Sequence, residues 1–99
     1  MVWTFDTEIF LWKADASWHF LLLPTDVAQE IDDVPLPRRG FRSLRVDVTV
    51  GDTTWRTSVF PSKSDASYLL PVKKSVREAE GLSAGDTCTV QLTLVDVEI

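Results

Sequence analysis

Lys73, Lys74 and Arg77 place three cations within five positions, directly after Pro71 and Val72, where the chain reads as entering a helix. Positive side chains near a helix start are suited to holding a phosphate or a carboxylate, because the unpaired backbone N–H groups and the positive end of the dipole already favour an anion. Cations there are unfavourable for the helix itself by about a few tenths of a kcal/mol, so they call for a partner. Asp65, Glu78, a carboxylate on a neighbouring strand or a bound anion would each serve. An intramolecular salt bridge or plain solvation explains the same residues without a ligand.

Four tryptophans, Trp3, Trp12, Trp18 and Trp55, are many for a chain of 99 residues. Trp12 falls on the otherwise polar face of the first predicted strand, beside a turn, which makes it a candidate for stacking on a ligand or partner. Trp55 is the second aromatic candidate. Side chains that close the ends of a barrel would also account for these residues. Arg38, Arg39, Arg42 and Arg45 gather four of the ten basic residues within eight positions and could contact a polyanion. Their plain reading is a solvated loop and strand edge.

His19 is the only histidine and Cys88 the only cysteine. A Cys–His nucleophile pair would need both side chains in one pocket, and they lie in separate predicted strands. A partly exposed sheet histidine and a core cysteine are the plainer assignments. The paired carboxylates Asp32-Asp33 and Glu78/Glu80 have no acid–base spacing, and no glycine-rich phosphate loop, Gly-x-Ser-x-Gly elbow or Cys-x-x-Cys is present. No metal site and no cofactor is read from these residues.

With 44% apolar and 25% charged residues the chain is expected to be a single domain, 1–99, with one core. Fifteen acidic against ten basic residues give a formal charge of −5, which opposes non-specific binding to nucleic acid or anionic lipid. The opening residues lack a basic leader and an apolar block, and no apolar run approaches the roughly 18 residues of a membrane span. With its single cysteine, the chain is expected to be cytoplasmic.

The elements that position these residues follow from periodicity. Trp3, Phe5, Ile9 and Leu11 alternate with polar residues as a half-buried strand. Residues 13–16 read as a turn into a strand over Ser17–Leu23, apolar on both faces, with Trp18, Phe20 and Leu22 opposite Ser17 and His19. After Pro24, Thr25 or Asp26 is placed to cap a helix to about Ile31 that buries Val27 and Ile31. Asp32–Gly40 reads as an exposed connection. Leu44, Val46, Val48 and Val50 face inward, Gly51-Asp52 turns the chain, and Trp55, Thr57 and Val59 share a face of the next strand over Thr54–Phe60. Ser67–Leu70 is a short strand, Pro71 fits a helix N1 position, and Val72, Val76 and Ala79 form the apolar stripe of that helix. Gly81 ends it in the left-handed conformation with Leu82 packing back, and after a Gly85-Asp86 turn Cys88, Val90, Leu92 and Leu94 point inward. This predicts a mostly β fold with two short helices: a small closed or nearly closed β-barrel or pseudobarrel of about six strands with helical caps.

The segments at 18–24, 51–61 and 68–86 resemble the prokaryotic family called domain of unknown function nineteen-oh-five. The most specific part is Leu-Pro-Val-Lys-Lys-x-x-Arg-x-x-x-Gly-Leu-x-x-Gly-Asp, Leu70 to Asp86. The resemblance implies a double-split-type barrel, similar in architecture to the swapped-hairpin barrels of prokaryotic transition-state regulators and antitoxins. It implies no activity and carries over no site residues. The Asp32–Arg42 loop departs from the family in its length and its arginines.

Three functions are open on these residues. The first is a non-enzymatic module binding a small anionic ligand or a protein partner through Lys73, Lys74 and Arg77 with Trp12 or Trp55. The second is a nucleic-acid-binding regulator acting through Arg38, Arg39, Arg42 and Arg45, against which the acidic balance argues. The third is an enzyme with a site based on Cys88 or a carboxylate. The chain is expected to be a monomer, or a homodimer through an exposed strand edge.

Overall fold

In the computed structural model the described residues are 2–12, 15–34, 43–62 and 65–95, without the side chains of residues 12 and 15–17. They form, in chain order, β1 (Val2–Trp12), β2 (Asp15–Leu22), α1 (Thr25–Asp32), β3 (Leu44–Val50), β4 (Thr53–Ser62), β5 (Ser67–Pro71), α2 (Lys74–Glu80) and β6 (Thr87–Leu94). The six strands close into an antiparallel barrel in the order β1-β2-β5-β4-β3-β6. Closure removes the continuous open edge that an edge-to-edge dimer would extend.

Two long strands make the closure possible. β1 pairs with β6 over Val2–Glu8 and with β2 from Ile9 onward, while β4 pairs with β3 up to Val59 and with β5 from Phe60 to Ser62. Each leaves one set of neighbours and joins another, so the sheet folds over at these two strands. At Ile9 the change is fixed by backbone bonds to the turn before β6: Ile9 N–H donates to Asp86 O (2.9 Å) and Gly85 N–H to Ile9 O (2.7 Å).

The interior is one apolar cluster. Val46 and Val48 of β3, Val90 and Leu92 of β6, Leu21 of β2, Leu70 of β5 and Val59 of β4 are wholly buried. The period-two pattern of β3 and β6 puts every second residue inside, as the alternation predicts. α1 packs on β5 and buries Val27, Ala28 and Ile31; α2 packs on β4 and buries Val76. Gly81 takes the left-handed conformation at φ 64°, and Leu82 N–H donates back to Arg77 O at 2.8 Å while its side chain rests on the core.

Several expectations are corrected. Pro71 ends β5, paired with Phe20, and α2 starts three residues later at Lys74 with Lys73 at its N-cap. A ring that fixes φ and lacks an N–H suits a strand end as well as a helix N1; here the next donor, Val72 N–H, reaches His19 O at 2.9 Å and extends the β2–β5 pairing. The later start leaves Ala79 exposed, off the stripe. The buried side chains are Leu21 of β2 and Leu23 just after it, while Trp18 is exposed; Leu11 of β1 is exposed as well. α1 is preceded by Pro24 at its N-cap, with no side-chain cap from Thr25 or Asp26. β4 runs on through Pro61 to Ser62, past the Phe60 end expected for it, because Pro61 pairs with Tyr68.

Candidate functional site

The segment Pro71–Arg77 runs from the end of β5 into α2, and with residues of β2 and β4 it lines a cleft. The cleft has a volume of about 660 Å³ and is lined by Trp18 and His19 of β2, Trp55, Arg56 and Thr57 of β4, and Pro71, Val72, Lys73, Lys74 and Arg77. That volume lies in the range of pockets that take organic ligands, roughly 300 to 1,000 Å³.

The charge of this lining is one-sided. Four of its ten side chains are cations and none is a carboxylate, in a chain whose formal charge is −5. The cations differ in how far they are satisfied. Arg56 is held by Asp47, with Nε donating to Oδ1 at 2.8 Å and Nη2 to Oδ2 at 3.2 Å; the guanidinium beside it keeps the Asp47 carboxyl below the usual carboxylate range. Lys74 lies 3.8 Å from Glu78 one turn along α2, a loose and exposed pair. Lys73 is extended at φ −70°, ψ 158°; its carbonyl accepts from Val76 and Arg77 N–H, while its side chain has no hydrogen-bond or ion-pair partner among the described residues. The first turn of α2 carries no acidic residue to offset them.

Arg77 is the fixed element. Its Nε donates to Val72 O at 3.2 Å and its Nη1 lies 3.4 Å from His19 Nε2. The guanidinium has five N–H donors in a rigid plane, so two are used to hold it and the others remain. Of the two tryptophans in the lining, Trp55 is buried against the core, while Trp18 is more than half exposed.

The sequence-read residues Lys73, Lys74, Arg77 and Trp55 are thus brought together on one cleft, and Trp18 and His19 join them. Trp18 was missed as a cleft residue because β2 is apolar on both faces, which hides the side that is left to solvent; Trp18 and Phe20, two apart on that side, stack on each other. The Trp12 side chain and the whole of Arg38, Arg39 and Arg42 lie outside the described residues. Arg45 is exposed on β3, away from this lining.

Cys88 does not line the cleft. It is buried on β6 opposite Thr7 of β1, and burial pushes its thiol up, with the carboxylates of Asp6 and Asp86 adding to the effect. A thiol held protonated in this way is a poor nucleophile, and it does not meet His19. Asp32 accepts a hydrogen bond from the Tyr68 hydroxyl, which ties α1 to β5, and Glu80 accepts from Thr53 Oγ1 at 2.6 Å. Both carboxylates serve the scaffold. Among the described residues no group of three or more His, Cys, Asp or Glu could hold a metal ion, and no helix is long and apolar enough to cross a membrane.

A family model described as Domain of unknown function (DUF1905) matches residues 5–92, from the middle of β1 to the inner residues of β6. No curated protein matches the chain.

Proposed function

This chain belongs to the Domain of unknown function (DUF1905) family, and we propose that it works as a binding module whose α2 cleft holds a small anionic ligand. The observation that carries the reading is the composition of the cleft wall: Lys73, Lys74, Arg77 and Arg56 with no carboxylate in the lining, on an otherwise acidic protein, only Arg56 being held closely by a carboxylate, Asp47, from outside it. Packing requires none of these charges, since Val72 and Val76 alone anchor this segment in the core. Arg77 is already oriented by its bonds to Val72 and His19, so a bound phosphate or carboxylate would not have to order that side chain. Lys73 is available to complete the contact.

Thermal unfolding tests this. A ligand that binds only the folded state stabilises it by about 1.4 kcal/mol at ten times its Kd, which for a domain of this size is a rise of several degrees in Tm. Phosphate or sulfate should raise the Tm of the wild-type chain beyond the effect of chloride at equal ionic strength. Lys73→Ala/Lys74→Ala should lose most of that rise. No difference between the salts sinks the reading.

A further inference from the structure

We infer that the ligand of this cleft is a two-part molecule, a phosphate or carboxylate carried on a flat aromatic ring, with Trp18 as the surface on which the ring stacks. This rests on the anion-site reading above and adds the chemistry of the other half of the ligand.

Trp18 is 54% exposed, while the core is filled here by Leu21 of its strand and by Leu23 just after it and needs nothing from Trp18. It is nonetheless held in place. Its ring stacks on Phe20 at 6.0 Å between centroids and 12° between planes, and Phe20 in turn lies 6.3 Å from Phe10 on β1. The indole is therefore backed on one side and oriented before any ligand arrives, which lowers the entropy cost of stacking on it. Trp18 lines the same cleft as the cations.

The rest of the lining agrees. Trp55, Pro71 and Val72 give the cleft an apolar floor, and its 660 Å³ is far more room than an inorganic anion fills. Thr57 adds a hydroxyl to the wall. A ring fits between the aromatic and apolar surfaces while its anionic group reaches Lys73 and Arg77.

The test is isothermal titration of the full chain with three probes: 1-naphthyl phosphate, inorganic phosphate and 1-naphthol. The expected order puts 1-naphthyl phosphate on the order of tenfold tighter than inorganic phosphate, the gain typical of one aromatic stack, with 1-naphthol weakest. Trp18→Ala should bring 1-naphthyl phosphate down to the level of inorganic phosphate and leave inorganic phosphate unchanged; Trp18→Phe should keep part of the gain. Equal binding of the two anions, or equal loss of both in Trp18→Ala, overturns the ring while the anion site stands. Binding of neither anion, or binding of 1-naphthol as tight as that of its phosphate, overturns both.

Discussion

Arg77 Nη1 lies 3.4 Å from His19 Nε2, joining the first turn of α2 to β2 within the lining of the cleft. A guanidinium can only donate, so the imidazole nitrogen facing it must accept. Making this hydrogen bond requires the Nδ1–H tautomer of His19, in which the nitrogen nearest the cationic wall offers a lone pair.

The tautomer that this contact requires can be measured. Long-range ¹⁵N–¹H correlation spectra at pH 8 should report His19 as the Nδ1–H form, and Arg77→Gln or Arg77→Ala should let it relax toward the Nε2–H form common in free histidine. A wild-type His19 protonated on Nε2 contradicts the contact.

The β3–β4 turn makes a second prediction. Gly51 has φ 58°, the first of two turn residues between Val50 and Thr53, and a Cβ there would overlap the Glu80 carboxylate at the end of α2. That same carboxylate accepts from Thr53. Gly51→Ala should therefore cost about 2 kcal/mol, part from the left-handed backbone and part from the displaced Glu80 hydrogen bond. In a Glu80→Ala background only the backbone part, about 1 kcal/mol, should remain. Additive losses in denaturant unfolding of the two variants would show that the turn and the helix end are independent.

Cys88 gives a third. Its folded-state pKa is raised, so the folded chain keeps the proton longer than the unfolded one. Its contribution is fully present below the unfolded thiol value, about 8.5, and is lost as the pH rises through the folded value. Stability followed from pH 7 to pH 10 should fall more steeply for the wild type than for Cys88→Ala, and the native thiol should react with a disulfide reagent far more slowly than the urea-unfolded one. Rapid labelling of the native protein contradicts a buried, protonated Cys88.

The barrel was legible because β3 and β6 bury one face only, so Leu44 to Val50 and Cys88 to Leu94 announce both the strand period and the inward side. Gly81 likewise has one reading at a helix end. β2 and Pro71 were not legible, for a shared reason: local chemistry permits two answers and the partner strand chooses. Trp18, Phe20 and Leu22 are as apolar as Leu21 and Leu23, and the pairing of β2 with β1 and β5 decides which set is buried. The cations at 73, 74 and 77 were visible as a local charge cluster, while their opposition to Trp18, His19 and Trp55 depends on barrel closure and could not be read from spacing.

The most direct measurement is a titration of ¹⁵N-labelled protein with inorganic phosphate, followed by amide shifts at constant ionic strength. Saturable shifts should gather on His19, Arg56, Thr57 and Val72–Arg77, around the cleft wall, and should vanish in Lys73→Ala/Lys74→Ala. Shifts that do not saturate, or that gather on α1 instead, contradict the assignment of this cleft as the binding site.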